Sequence, residues 1–316
     1  MAQNLMLLEK RPALKSGTVE EMITLFVKSY LSKNTKQAYA TDLQLFITYC
    51  QQQGWQFQHV RDIQSKHLQQ YRDYLLNDLK QANNTVNRKM VALRGLMQWC
   101  VHEGIIDRNP LLNVRLPKAK VVSGTLDFSD DEVKSILALP DATTASGSLH
   151  QLVLTLLFFL GLRKGEVVGI RWNDLFEERN HHIVRVRGKG DKQRDIPLTP
   201  QVRRAIENYR AMAGKSFLPD EYLLQPIRNN FSKEIRKPLH PSTIDWIVKR
   251  YAQKAGVKKR ISPHSCRATV VGNLLENKIP IRDVANLVGH SSIQTTSQYD
   301  KRKNNLDKSA AYSVRY

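Results

Sequence analysis

The stretch Leu152-Val153-Leu154-Thr155-Leu156-Leu157-Phe158-Phe159-Leu160-Gly161-Leu162-Arg163-Lys164-Gly165-Glu166 governs how the rest of the chain must fold. From Leu152 to Leu162 it is almost wholly apolar. A helix there has no solvent face, so a domain must close around it. The run then ends abruptly in cations, which places Arg163 on a rigid, buried base. A guanidinium held this way binds a phosphate through two N–H groups and keeps its charge at any relevant pH. The plainer reading pairs Arg163 with Glu166 as a structural ion pair.

Downstream, Ile183–Arg187 and Arg194–Leu198 carry strand signals. The turn-rich Gly188-Lys189-Gly190-Asp191-Lys192 joins them. Its glycines permit close backbone approach, so Lys189 is either a projected ammonium or an ordinary surface lysine. Thr199-Pro200 opens another helix with Pro at its first position, and from there the chain reads as helical. In Ser262-Pro263-His264-Ser265-Cys266-Arg267, Ser262 can cap a helix, with His264 and Arg267 sharing one face of its first turn. A helix N-terminus already favours an anion. Gly289, in Leu287-Val288-Gly289-His290, reads as a helix terminator that leaves His290 in a connection. Tyr299 follows the polar stretch Ser291–Gln298, where core packing is not expected. Cys266, between His264 and Arg267, reads as packing.

Upstream, Asp127, Ser129 and Asp130 offer caps for a helix carrying Val133, Ile136 and Leu137. Residues 18–116 read as a small all-helical unit, of about 100 residues, a normal domain size. One stripe there is Tyr39, Leu43, Phe46 and Cys50, with Asn34 or Thr35 as the expected cap. A second is Val86, Met90, Leu93, Met97 and Cys100, on a helix starting near Thr85. Arg88 points away from that stripe and Lys89 lies at its edge; a further helical stretch covers residues 65–80. Lys33, Lys36, Arg88 and Lys89 near helix N-termini are candidate phosphate seats; read singly they are solvated charges. Residues 117–125, with Lys118 and Lys120, read as a basic interdomain linker. Residues 1–17 read as a loose lead-in, 126–302 as a second domain and 303–316 as a tail.

The charge agrees with a polyanionic partner: 49 Lys+Arg against 29 Asp+Glu give a formal net charge of +20, and counterion release favours a polyanion; the plainer reading is a basic but unrelated cytosolic protein. No run of about 18 apolar residues exists, so no membrane span is expected. Neither a charged leader nor a cleavage site is visible around Met6, Leu7 and Leu8, so no signal peptide is expected. Cys50, Cys100 and Cys266 suit neither a disulfide framework nor a zinc site and fit a reduced, cytoplasmic compartment.

Arg163, Lys189, His264-x-x-Arg267, Gly289-His290 and Tyr299, in that order in one basic chain, meet the needs of metal-free phosphoryl transfer: cations for the equatorial oxygens, an acid for the leaving oxygen, and an in-line nucleophile. On these motifs the sequence resembles the tyrosine recombinases, or phage integrase family, over nearly its whole length. It is most similar to the Xer-like two-domain members, since too little chain precedes the helical unit for an arm-binding domain. Thr35, Tyr39, Asp42-Leu43, Phe46 and Asn109-Pro110 resemble the family's core-binding domain. Ala268 is a departure, because the family commonly has His there.

The resemblance implies a mainly α fold with a small antiparallel β-sheet in the C-terminal domain. It also implies a helical core-binding domain joined to a catalytic domain in a C-shaped DNA clamp. Arg163, Lys189, His264, Arg267, His290 and Tyr299 would be catalytic, cleaving and rejoining DNA through a 3′-phosphotyrosyl link and a Holliday junction. Lys36, Arg88, Lys89, Lys118 and Lys120 would touch DNA. No cofactor or metal is implied. The implied partners are double-stranded DNA with a specific site and a homotetramer on two such sites, or a dimer on one, with the tail packing on a neighbour. The implied setting is a bacterial, phage-encoded or plasmid-encoded protein at the nucleoid. Three rivals stay open: a catalytically silent DNA-binding protein on the same scaffold, a type IB topoisomerase-like enzyme, and, with little support, a metal nuclease. Tyr312 and Tyr316 are alternative nucleophiles without the upstream Gly-His.

Overall fold

The computed structural model describes residues 17–118, 126–188, 190, 192–228 and 234–299. Lys189, Lys120, the lead-in before Gly17, most of the linker and the tail from 303 lie outside the described residues. The chain divides between residues 121 and 122 into two compact units.

The first unit is helical. α1 (Val19–Ser29) opens on a capping box: Thr18 Oγ1 accepts from Glu21 N and Glu21 Oε2 accepts from Thr18 N, which satisfies two orphan donors at once. α2 (Lys33–Gln52) is capped by Ser32, whose hydroxyl accepts from Thr35 N, rather than by Asn34 or Thr35. α3 (Ser65–Asp73) continues into a π turn, Tyr74–Asp78. α4 (Asn83–His102) starts two residues before Thr85. Phe26, Leu43, Phe46, Leu68, Tyr71, Met90, Leu93 and Met97 form the core between these helices.

Lys89 corrects the sequence reading. It is 7% exposed, buried with Val86, Leu93, Leu96 and Cys100 along α4. The apolar face of α4 is two rows wide, and position 89 falls on its second row. Desolvation lowers the Lys89 ammonium's pKa, and nearby Asp42 counteracts this.

The second unit is built around the apolar run. α6 (Ala145–Leu160), capped by Thr144, buries nearly every residue from Leu152 to Leu160. It is preceded by α5 (Asp130–Ala138), capped by Ser129. Gly161 stops α6 at φ 58°, a left-handed conformation that costs glycine little. α7 (Lys164–Gly169) follows directly. A three-stranded antiparallel sheet comes next, β1 (Leu175–Glu178), β2 (His181–Arg187) and β3 (Gln193–Pro197), in the order β1-β2-β3. β1 was not expected from sequence; it is four residues long and ends in two exposed acids. Its turn, Arg179-Asn180, has both φ angles positive, the geometry that matches strand twist.

α8 (Pro200–Met212) packs on α6, and α9 (Pro241–Lys254) on α5, α6 and α7. α10 (Pro263–Glu276) lies on α6 and is buried on most sides. Thr269 Oγ1 fixes it there, accepting from Phe128 N at 2.8 Å and donating to Ser265 O at 2.9 Å. α11 (Ile281–Val288) ends at Gly289, φ 66°, and α12 (Ile293–Ser297) leads to Tyr299. Among the described residues no helix is long and apolar enough to cross a membrane.

Candidate active site

The site forms where α6, α10 and α11 end or begin. Arg267 is on the first turns of α10 and is 1% exposed. A buried guanidinium must find acceptors for its N–H groups. It finds them at helix C-termini, where carbonyls are unpaired and the dipole is negative. Nη1 donates to Gly161 O at 2.7 Å and Nη2 to Val288 O. Nε donates to His290 Nε2 at 3.3 Å. Burial pushes the guanidinium down to about 9, helped by the nearby Arg163 cation, which leaves it charged at neutral pH.

Three consecutive carbonyls at the end of α11 are taken by three different arginines. Arg194 Nε donates to Leu287 O at 2.8 Å, Arg267 Nη2 to Val288 O, and Arg163 Nη2 to Gly289 O at 2.9 Å. Glu166 ties two of these arginines together. Its Oε1 accepts from Arg163 Nη1 at 2.8 Å and Arg194 Nη1 at 3.2 Å. Its Oε2 accepts from Arg163 N and Arg194 Nη2, both at 2.9 Å. Burial opposes the Glu166 charge, but the Arg194 and Arg163 donors outweigh it and hold its carboxyl below the ordinary range. Arg163 thus makes the ion pair with Glu166 that the plainer reading gave it, while its side chain remains 42% exposed.

His264 is exposed on the first turn of α10, and its Nε2 lies 2.7 Å from Tyr299 Oη. Partial desolvation of its ring, then the Arg267 and Arg163 charges, lowers its pKa. Tyr299 is half-buried against Val271, Leu275, Val284 and Val288, and its ring stacks on His290 at 6.1 Å and 12°. His290 Nδ1 reaches Thr296 Oγ1 at 2.8 Å. Burial and the Arg267 charge push its imidazole down to about 4. A cavity of about 250 Å³, large enough for a phosphate group, opens beside Arg163, His264 and Arg267.

The structure thus brings together Arg163, His264, Arg267, His290 and Tyr299 from the expected set. Lys189 lies outside the described residues, though its neighbour Gly188 is close: a Cβ there would stand 3.6 Å from Glu166 Oε1. Cys266 is fully buried in the core and burial pushes its thiol up. Arg194 was missed. Its signal was strand alternation, since it shares the inward face of β3 with buried Ile196 and pairs with buried Val186. In the first unit, Lys36 is half-buried and Lys118 exposed. Arg88 is exposed but bound to buried Asp42. Among the described residues no His, Cys, Asp and Glu group is placed to hold a metal.

Residues 127–305 match the phage integrase family, and residues 22–104 match its N-terminal SAM-like domain. The chain belongs to the phage integrase family. A tyrosine recombinase of Pseudothermotoga lettingae is 33% identical over 272 residues, covering 85% of this chain and 87% of that one. XerD of Pseudomonas aeruginosa is 30% identical over 280 residues, 87% of this chain and 89% of its own. Among solved structures, a lambda integrase tetramer bound to a Holliday junction superposes with a TM-score of 0.69 at 18% identity, covering 94% of this chain and 81% of that one. The Tn1549 transposon integrase in complex with circular intermediate DNA gives 0.68 at 18% identity, covering 95% and 100%. These likenesses establish the shared fold: mainly helical, with one small antiparallel sheet.

Proposed function

We propose that this tyrosine recombinase cleaves and rejoins specific DNA sites through Tyr299, and that the site described above is where it does so. The observation that carries the reading is the 2.7 Å approach of Tyr299 Oη to His264 Nε2 beside two arginines. Arg163 and Arg267 clamp the scissile phosphate and neutralise its equatorial oxygens. His264, kept neutral by its surroundings, takes the phenol proton at Nε2 as Tyr299 attacks phosphorus in line. The bond from phosphorus to the 5′ oxygen breaks, Lys189 supplies the proton to that oxygen, and a 3′-phosphotyrosyl link remains. His290 steadies the phosphate. Attack by a 5′-hydroxyl from a partner strand reverses the step, so the bond energy is conserved without a nucleotide cofactor.

Two such rounds pass through a Holliday junction on a homotetramer holding two DNA sites. Residues 18–116 serve as the core-binding domain, whose Lys36 and Arg88 contact phosphates together with Lys118 and Lys120 of the linker, and residues 126–302 serve as the catalytic domain. The reaction belongs in a bacterial cytoplasm, at the nucleoid. The test is trapping on nicked duplex DNA, whose cleaved fragment diffuses away and strands the intermediate. A denaturing gel is expected to show a covalent adduct, insensitive to excess chelator, and peptide mass analysis to place the nucleotide on Tyr299. Attachment to Tyr312, Tyr316 or Cys266, or no adduct at all, overturns the assignment.

A further inference from the structure

Thr296 is fully buried beneath the site, and no step above uses it. It lies on α12, and its carbonyl accepts the backbone N–H of Tyr299 at 3.0 Å. Its hydroxyl lies 2.8 Å from His290 Nδ1. One residue therefore touches both a site histidine and the backbone that carries the phenol.

The other ring nitrogen fixes the direction of that hydrogen bond. His290 Nε2 receives Arg267 Nε–H at 3.3 Å. A guanidinium can only donate, so Nε2 must offer its lone pair, and a neutral ring then carries its single proton on Nδ1. Burial and the surrounding cations keep this ring neutral at physiological pH. Thr296 Oγ1 stands where that proton points.

We propose that Thr296 is the positioning residue of His290, fixing its ring plane and holding its proton on Nδ1 in the free protein, so that Nε2 orients Arg267. The functional consequence rests on the phosphate-binding reading given above. A hydroxyl both donates and accepts. When a phosphate oxygen replaces Arg267 Nε opposite Nε2, the ring proton moves to Nε2, and the Thr296 hydroxyl turns to donate to Nδ1. The ring keeps its plane while its proton changes ends. Because His290 stacks on Tyr299, loss of that plane also disturbs the nucleophile. Valine matches the shape of threonine but supplies neither partner.

The test is ¹⁵N NMR of histidine-labelled full-length protein without DNA, with His290 assigned through His290→Gln. The wild type is expected to show Nδ1 protonated and Nε2 unprotonated. Thr296→Val is expected to lose this pattern, and Thr296→Ser to retain it. On nicked DNA at saturating concentration, Thr296→Val should slow cleavage roughly tenfold, the worth of one net hydrogen bond, with DNA affinity unchanged and serine restoring the rate. A wild-type ring protonated on Nε2 overturns the proposal even if the valine variant fails to fold. So does a folded Thr296→Val protein with His290 and cleavage unaltered. The spectra need no DNA, so they decide the tautomer even for a protein that recombines nothing.

Discussion

In the proposed mechanism His264 is the base, and its surroundings prepare it for that role. Partial desolvation first, then the Arg267 and Arg163 charges, disfavour its imidazolium, so the ring is neutral at pH 7 and free to accept a phenol proton. In that mechanism cleavage requires the deprotonated ring. The rate falls only as pH drops through this lowered pKa, so the acid limb of a pH–rate profile on nicked DNA lies below the ordinary histidine value of about 6.5. Removing a cation relaxes the effect: Arg163→Gln moves the His264 titration upward, toward about 6.5, as followed by NMR. A downward shift contradicts the electrostatic account.

The turn that ends α11 is where elements meet. Its last carbonyls receive Arg194 from β3, Arg267 from α10 and Arg163 from the start of α7. Gly289 is required twice over: its φ is 66°, and a Cβ there would stand 2.8 Å from Arg194 Nη1. Gly289→Ala should cost about 1–2 kcal/mol for the left-handed backbone alone, and more for the displaced guanidinium. A lowered Tm with a cleavage loss larger than the DNA-affinity loss is expected; an unchanged Tm contradicts it. This level was only partly legible in the sequence. Gly161 and Gly289 announced helix ends; Arg163 announced itself by ending an apolar run, and His264, Arg267 and Tyr299 by their order and spacing behind it. Arg194 and Thr296 announced little. Arg194 sits in a strand of alternating charges, and Thr296 in a polar stretch whose burial, 0% exposed, depends on how α12 folds back. Lys89 failed in the opposite sense, since a narrow stripe was read where α4 packs two rows.

Across the whole molecule, the net charge of +20 predicts DNA affinity that falls steeply with salt, by a slope near 0.9 for each phosphate neutralised. Lys36→Ala should make that slope shallower by about 1. Lys89→Ala should leave it unchanged and lower stability instead, because that side chain is buried; binding titrations from low to moderate salt separate the two. Charge brings DNA to the protein, but only a placed nucleophile separates a recombinase from a silent relative or a general DNA binder. The most direct measurement is therefore Tyr299→Phe, assayed on nicked duplex DNA for strand breakage and covalent adduct together, with binding measured alongside. The account predicts retained binding with both breakage and adduct gone. Undiminished breakage and crosslinking by the phenylalanine variant contradicts it.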